Sequence, residues 1–294
     1  MSKKHVTVLM GGPDAERDVS IRSGMAVAQA LKNSGEFFVE EQIIDIPSLE
    51  DIANIQCDIV FPVLHGPFGE GGPLQQLLEN AGKIFVGSSS KSAELAMDKS
   101  TTKQIAIGLG IQTPKWCVLN ENDTCDLPLP FVLKPIDDGS SVDVEFCNST
   151  EDVQINKTEL FKTRKQLLAE EYIQGRELTV GIINGEPLPI IEIIPPNESY
   201  DFVAKYQSED TQYVISPNLP TYDCVNSAMK LYEEMNILDI ARVDFLLDDQ
   251  GSWLLEINTM PGFTNHSLVP MAAKHIGITM DTLCASLVHA TMAR

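Results

Sequence analysis

A pair of alternating runs near the C-terminal end places the strongest constraint on how this chain folds. Residues 241–247 and 253–258 alternate between apolar and polar side chains, as half-buried strands do. The segment between them, DDQG at 248–251, is a turn signal. We therefore predict an antiparallel hairpin. Its apolar face is expected to consist of Ala241, Val243, Phe245, Leu247, Trp253, Leu255 and Ile257.

The other face of this hairpin carries two acids, an amide and an arginine. A three-residue loop with Gly251 in the left-handed conformation is one way to obtain an even-sum register. That register sets Asp244 opposite Glu256. It also sets Arg242 opposite Asn258. Two carboxylates directly opposite each other destabilise a sheet unless their charge is neutralised. Mg²⁺ bound through oxygens could neutralise them. The two interpretations are therefore a metal site and a plain solvated acidic face.

Composition narrows the class of protein. A chain of 294 residues with 43% hydrophobic residues is long enough for two or three domains. The net charge of −21 argues against nucleic acid or an anionic membrane as a partner. The six cysteines form no C-x-x-C pair. No apolar stretch is long enough to span a membrane. Residues 1–12 do not resemble a signal peptide. We expect a cytoplasmic protein with reduced thiols.

The first part of the chain alternates strands with helices. Strands are predicted at 5–10, 59–63 and 84–86, and helices at 19–32 and 73–81. This rhythm is typical of a parallel sheet covered by helices. The fold class is therefore α/β, with α+β elements further on, and the N-terminal βαβ domain is expected to span residues 1–91.

Two further lobes follow. A helix is predicted at 92–109, strands at 116–119, 130–135, 142–146 and 168–173, a helix at 223–236, and a last helix from about 267. The central lobe is expected at 92–178 and the C-terminal lobe at 179–294. The polar stretch 195–218 is expected to form a lid loop over a binding site.

Several loops carry residues suited to binding anions or amines. Lys134 precedes a loop of small residues at 139–141, which suits a phosphate but also suits a surface hairpin. Glu170 and Glu171 end a predicted strand and suit a nucleotide ribose, although such pairs are usually solvated. Glu16 follows a Gly-Gly loop, where it either favours the helix N-terminus or binds an ammonium group. Ser267 is expected to N-cap the last helix, whose N-terminus suits a carboxylate.

Taken together, the motifs resemble those of the D-alanine–D-alanine ligase family of the ATP-grasp superfamily. They occur in order along the chain as GGPDAERDVS (11–20), LHG (64–66), MDK (97–99), VLKP (132–135), GSSV (139–142), EEYIQGRELTV (170–180), YDFVAKY (200–206), ARVDF (241–245) and LEINTMPGFTNHSLVP (255–270). The resemblance implies an N-terminal parallel-sheet domain followed by a two-lobed ATP-grasp fold. It also implies ATP-dependent ligation of two D-alanine molecules through an acyl phosphate, for peptidoglycan synthesis.

The resemblance assigns a role to each candidate residue. The proposed ATP ligands are Lys99, Lys134, Glu170, Glu171, Ile173, Glu177 and Lys205. The proposed ligands of two Mg²⁺ ions, which Mn²⁺ can replace, are Asp244, Glu256 and Asn258. Glu16 and His65 would bind the first D-alanine, and Ser267 with the Leu268 amide the second. Arg242 and the Gly262 amide would form an oxyanion hole, and Ser140 and Tyr206 would link Glu16 to the lid.

The sequence departs from the family pattern at two positions and leaves other functions open. Gly71 stands where the family often has Asp, and Asp143 stands where Gly is usual. A related ligase using D-lactate or D-serine is one alternative, although Lys205-Tyr206 resembles the dipeptide-forming lid. A nucleotide-binding homologue without catalysis is another. By resemblance a homodimer is expected, with no nucleic acid or membrane as partner.

Overall fold

The computed structural model describes residues 3–139, 142–195, 211–219, 223–264 and 266–294. Three of the candidate residues, Ser140, Lys205 and Tyr206, lie outside these ranges. The described strands form three sheets, one in each third of the chain. The prediction of an α/β fold with α+β elements, in which an N-terminal parallel-sheet domain precedes two further lobes, is confirmed. The sheets of those two lobes are antiparallel.

The N-terminal sheet contains strands in the order β2-β1-β3, and all pairs are parallel. Its strands are β1 (Lys4–Gly11), β2 (Phe37–Ile44) and β3 (Ile59–Pro62). Its helices are α1 (Arg17–Ser34), α2 (Leu49–Asn54), α3 (Gly66–Glu70) and α4 (Pro73–Asn80). The strand predicted at 84–86 is reduced to a single parallel bridge between Phe85 and Val60, with backbone hydrogen bonds of 2.8 and 2.9 Å.

The helix predicted at 92–109 is in fact two helices, α5 (Ser90–Met97) and α6 (Lys99–Gly108). Asp98 separates them because its backbone is extended, with ψ 102°, and cannot continue a helix. Its side chain accepts a 2.6 Å hydrogen bond from the amide of Thr101 and so caps α6. This break sets Lys99 at the first position of the second helix.

The central sheet is antiparallel, in the order β4-β7-β5-β6. Its strands are β4 (Trp116–Leu119), β5 (Phe131–Pro135), β6 (Glu145–Cys147) and β7 (Leu167–Glu171), and α7 (Thr150–Leu160) packs on it. The predicted strand at 142–146 begins later than expected, because Asp143 has a φ of 58° and interrupts the extended backbone.

The C-terminal sheet has the order β11-β10-β8-β12-β13, with β9 paired to β8. Its strands are β8 (Arg176–Ile183), β9 (Glu186–Pro187), β10 (Ile191–Ile194), β11 (Gln212–Ile215), β12 (Ile240–Leu247) and β13 (Ser252–Asn258), and α8 (Cys224–Glu234) covers one face. Strand β8 runs across residues 178 and 179, where the predicted second and third lobes meet. Within the stretch predicted as a lid loop, residues 212–215 are strand β11, which pairs with β10.

The hairpin of β12 and β13 has the predicted pairs, Asp244 with Glu256 and Arg242 with Asn258. The loop prediction is wrong: Leu247 pairs with Ser252, so the loop has four residues, and Gly251 has a φ of 154°. A bulge between Asp244 and Phe245 restores the even register.

The bulge also reverses the alternation of β13 before Glu256, over residues 252–255. Leu254 is therefore buried in the core. Trp253 and Leu255, both predicted for the apolar face, are only half-buried, and Leu255 borders a cavity together with Asp244. The sequence pattern could not reveal this because both Leu254 and Leu255 are apolar.

The end of the chain packs against its beginning. The last helix, predicted as one from about 267, is two helices, α9 (Leu268–His275) and α10 (Met280–Ala293), with α10 against α1. One core cluster joins β1 residues such as Val8 to Leu287 of α10. Among the described residues no single helix could span a membrane by itself; α9 and α10 reach that length and hydropathy only together, across a 105° bend.

Candidate active site

A large cavity of about 650 Å³ lies between the central and C-terminal sheets. Strands β5 and β7 form one wall, and strands β8, β10, β12 and β13 form the other. Eight of the candidate residues line it: Lys99, Lys134, Glu170, Glu171, Ile173, Glu177, Asp244 and Glu256. The hairpin and the central sheet, far apart in sequence, therefore meet around a single space.

Lys134 and Glu170 form a buried ion pair on the wall of this cavity. Their side chains approach to 2.6 Å, and Lys103 contacts the second oxygen of the same carboxylate. Burial pushes the pKa of Glu170 upward, but Lys134 and Lys103 outweigh it and hold that pKa below its usual value. The Glu170 carboxylate therefore stays ionised and is engaged with lysines, which differs from the ribose contact expected of it.

A second, smaller pocket of about 40 Å³ adjoins the first. Seven candidate residues line it: Glu16, His65, Lys99, Arg242, Glu256, Asn258 and Gly262. Lys99, Asp138, Gly139 and Glu256 line both spaces. The Lys99 ammonium lies 3.6 Å from the Glu256 carboxylate and also contacts the carbonyl of Asp138, so these residues form the shared wall.

Glu70 is a fourth acid in the small pocket, beside Glu16, Asp138 and Glu256, and the sequence analysis did not single it out. Burial raises its pKa well above the usual value, and the nearby Glu16 raises it further. Burial also lowers the pKa of His65, whose Nδ1 lies 3.0 Å from the carbonyl of Met260. Within the described part of the chain, His65 Nε2 and Glu70 Oε2 have no hydrogen-bond partner although both are buried.

Arg242 binds Asp244 on the same face of β12. Its Nε lies 3.0 Å from Oδ1 and its Nη2 lies 2.8 Å from Oδ2, which makes the contact bidentate. Thr179 on β8 donates a further 2.7 Å bond to Oδ1. The neighbouring strand thus orients the carboxylate, a contribution that the hairpin pattern alone does not predict.

The oxygen set of Asp244, Glu256 and Asn258 has the chemistry that Mg²⁺ prefers, with two carboxylates beside a cavity that is open to further oxygen ligands. The Asn258 amide oxygen accepts a 2.9 Å bond from the Met260 amide, which fixes its direction. Across the described ranges, no group of three or more His, Cys, Asp or Glu side chains is arranged to hold a metal ion. The predicted set, having only two such residues, stays a prediction.

Ser267 precedes α9, as predicted, but its side chain does not cap the helix. Its Oγ accepts a 2.9 Å bond from the Thr264 amide. A Cβ at Gly262 would lie 2.8 Å from the same Oγ, so a larger residue there would displace the Ser267 hydroxyl. The Gly262 backbone and the start of α9, which includes Leu268, are thereby held together at the edge of the small pocket.

Both departures from the family pattern have a local structural explanation. Asp143 turns toward Arg164, whose Nη2 lies 2.7 Å from its carboxylate, and Arg164 also bonds Asp138 at 2.7 Å. A Cβ at Gly71 would lie 2.4 Å from the backbone oxygen of Pro67, so the local backbone has no room for a larger residue.

The residues that sequence reasoning missed are Lys103, Asp138, Thr179 and Glu70. A signal existed for Lys103, which lies four residues after Lys99 and so shares its helical face. Glu70 follows the LHG motif by only four residues. For Thr179 there was none, because only the pairing of β8 with β12 brings it opposite Asp244.

Comparisons with known proteins agree with this architecture. Two family models match: "D-ala D-ala ligase N-terminus" over residues 40–88 and "D-ala D-ala ligase C-terminus" over residues 109–289. The D-alanine–D-alanine ligase of Bordetella petrii is 40% identical, covering 96% of this chain and 90% of its own. That of Syntrophotalea carbinolica is 37% identical, covering 96% and 94%.

Solved structures are also similar. The D-alanine–D-alanine ligase of Bacillus anthracis complexed with ATP has a TM-score of 0.87 at 28% identity, and the match covers 100% of this chain and 98% of that one. Both the sequence and the fold are therefore matched along nearly the whole chain. The chain belongs to the D-alanine–D-alanine ligase family.

Proposed function

We propose that this ligase uses ATP to join two D-alanine molecules into D-alanyl-D-alanine for peptidoglycan, releasing ADP and phosphate. The observation that carries the proposal is the pair of adjoining cavities, with Lys99 and Glu256 in their shared wall. Lys134 and the paired acids Asp244 and Glu256 border the large cavity, and Glu16 and Glu70 border the small one. The first suits a polyanionic nucleotide, and the second suits the ammonium group of an amino acid. A phosphoryl group and a carboxylate would meet between them.

The large cavity would hold the nucleotide. Lys99 and Lys134, together with Lys205 from outside the described residues, would contact the phosphates. Glu171 ends β7, Ile173 follows it, and both border the cavity, where they would contact adenine, with Glu177 on the ribose. The role of Glu170 is revised: its carboxylate would orient Lys134.

Two Mg²⁺ ions, or Mn²⁺, would be held by Asp244, Glu256 and Asn258 at the floor of this cavity. The support is the confirmed pairing of Asp244 with Glu256 and the orientation of Asn258 by Met260. Bound metal would neutralise phosphate oxygens during phosphoryl transfer. The part of the protein is to orient oxygen donors on a rigid hairpin beside the nucleotide.

The small pocket would hold the D-alanine molecules. Glu16 would bind the ammonium of the first, with His65 beside it, and the carboxylate of Glu16 lies near the loop that leads to Ser140. Ser267 and the Leu268 amide would bind the carboxylate of the second. Tyr206 would join Ser140 and Glu16 to the lid, a role that lies outside the described residues.

In the reaction, the carboxylate of the first D-alanine takes the terminal phosphoryl group of ATP and becomes an acyl phosphate. The amine of the second attacks that carbonyl, and phosphate leaves. Arg242 and the Gly262 amide would stabilise the negative charge on the tetrahedral oxygen. No protein nucleophile is needed, so positioning and charge neutralisation account for the catalysis.

The deciding experiment is a coupled assay of ADP release with D-alanine, L-alanine, D-serine and D-lactate. We expect release to require both ATP and D-alanine, and L-alanine to be inactive. Faster reaction with D-lactate than with D-alanine at neutral pH would instead identify a depsipeptide ligase. Nucleotide binding without ADP release would identify a homologue that has lost catalysis.

The setting of the enzyme is also part of the proposal. ATP and D-alanine in the cytoplasm would supply a reaction of this kind, and we propose that the enzyme is cytoplasmic. We also propose that it is a homodimer and has no nucleic acid or membrane partner. The proposed domains are residues 1–91, 92–178 and 179–294, with α5 (Ser90–Met97) crossing the first boundary and β8 (Arg176–Ile183) crossing the second. Sedimentation of the purified protein would test the dimer.

A further inference from the structure

Lys103 is a buried lysine next to the nucleotide cavity but not on its surface. Its side chain on α6 has 0% exposure, which is unusual for a lysine. The chain must therefore provide partners that offset the cost of burying a charge.

Its partners connect two sheets. The Nζ atom donates a 2.6 Å bond to Thr113, whose hydroxyl donates a 2.8 Å bond to the carbonyl of Leu254 on β13. The same ammonium contacts Glu170 on β7 and lies 5.6 Å from the ring centroid of Trp116 on β4. Lys103 thus links strand β13 of the hairpin to the central sheet, which carries Lys134.

The carboxylate of Glu170 is shared between two lysines, with one oxygen for each. Two ammonium groups and one carboxylate give the cluster one net positive charge when both lysines are protonated. Without Lys103, the Glu170 carboxylate would be left to neutralise Lys134 alone. The Lys134 ammonium would then attract a phosphate less strongly.

We propose that Lys103 is a positioning residue for ATP binding: it engages one oxygen of Glu170 so that the other holds Lys134 at the cavity wall, and it keeps this cluster cationic. The inference rests on the proposed nucleotide role of Lys134. Lys103 itself touches no substrate.

The protonation of Lys103 should make ATP affinity depend on pH, which a merely structural role would not do. The pKa of Lys103 is lowered to about 8, chiefly by burial and also by Lys134, while Glu170 and Glu256 act in the opposite direction. Below that pKa the cluster is cationic, and above it Lys103 is neutral. The affinity for ATP in the free enzyme should therefore weaken as the pH rises through this value.

The test is equilibrium binding of ATP with excess magnesium, by calorimetry, to the full chain and its Lys103→Met variant. We expect the variant to bind ATP about tenfold more weakly, the loss of roughly one charge-assisted contact, with the KM for D-alanine changed less than about twofold. The matched control is Lys162→Met, which makes the same change in an exposed lysine paired with Glu159. It should bind ATP like the wild type.

The pH series of the wild type can overturn the inference by itself, even if Lys103→Met does not fold. Wild-type affinity should fall several-fold between about pH 7 and about pH 9, whereas that of Lys103→Met should stay flat. Unchanged affinity in Lys103→Met, or a flat wild-type series, would overturn the inference. Neither of these results would contradict the proposed ligase function. Failure of the wild type to bind ATP would overturn that function instead.

Discussion

Two buried glutamates, one in each cavity, have pKa values shifted in opposite directions. Glu170 at the large cavity lies between Lys103 and Lys134, which hold its pKa below the usual value against the effect of burial. Glu70 at the small pocket has Glu16 as a close neighbour, and burial raises its pKa well above the usual value. Burial alone therefore does not decide charge: the sign of the neighbours does.

The same contrast assigns ligands to the two spaces. A cluster with excess lysine attracts phosphates, and a pocket with excess carboxyl groups attracts an ammonium group. Lys99 and Glu256 stand between them as a contact of opposite charges at 3.6 Å. Changes on one side of this wall should affect one substrate and leave the other alone, and that separation can be tested.

The largest effect is expected at Arg242, which lines the small pocket and holds Asp244 of the large cavity. Arg242→Met should lower kcat by about two orders of magnitude, or roughly 3 kcal/mol, because an oxyanion donor is removed. Rapid-quench measurement of ADP formation would show it. The exposed Arg22→Met is the matched control, and near wild-type turnover in Arg242→Met would exclude Arg242 from this role.

The next effect is expected at Glu16, which is 5% exposed in the small pocket. Glu16→Gln should raise the KM of the first D-alanine roughly thirtyfold, or about 2 kcal/mol, because a charge-assisted bond to the ammonium is lost. The Kd of ATP should not change, since the large cavity is intact. Glu50→Gln on the surface is the control, and an equal loss of ATP affinity would contradict the separation of the two cavities.

A smaller effect, on stability rather than turnover, is expected at Glu70. Because its folded-state pKa is raised above the ordinary 4.5, the folded protein keeps a proton that the unfolded chain loses, so stability falls as pH rises above about 4.5. Glu70→Gln removes this loss. The free energy of unfolding of Glu70→Gln should lie within about 1 kcal/mol of the wild-type value at pH 4. Toward pH 8 it should become larger than the wild-type value.

Urea denaturation of both proteins at several pH values measures this difference. A difference that stays constant with pH would mean that Glu70 ionises normally in the folded protein. Glu79→Gln, an exposed acid that bonds Ser90, provides the comparison for a carboxylate without burial.

The sequence predicted which residues meet better than how the backbone brings them together. The pairing of Asp244 with Glu256 followed from alternation, because two-residue periodicity decides which side chains share a face. The loop and the bulge did not follow, because a four-residue loop with a bulge gives the same pairs as a three-residue loop. The burial of Leu254 in place of Leu255 was missed for the same reason.

Contacts between distant segments were the least predictable. Periodicity has no information on which strand lies beside β12, so the bond from Thr179 to Asp244 was not foreseen. The position of Glu170 between two lysines likewise needs the packing of α6 on the central sheet. Motif order identified the family and most of the residues around both cavities, whereas the electrostatic state of each residue depended on three-dimensional neighbours.

The smallest effect is expected at Asp143, beside the loop that carries Asp138 and Gly139 of the shared wall. Asp143→Gly relieves a φ of 58°, a strain of about 1 kcal/mol, but loses the bond from Arg164, which is partly screened because the Asp143 side chain is 38% exposed. The two effects oppose each other, so the free energy of unfolding should change by less than about 0.5 kcal/mol.

Arg164→Met is the informative contrast to Asp143→Gly. It leaves the strained backbone in place and removes the bonds to both Asp138 and Asp143. Stability should therefore fall by about 1 kcal/mol, and the Kd of ATP should rise a few-fold because Asp138 borders the large cavity. If Asp143→Gly raised the Kd of ATP as much as Arg164→Met does, the bond to Asp143, rather than the bond to Asp138, would be what holds the shared wall, and Asp143 would belong to the function of the nucleotide cavity.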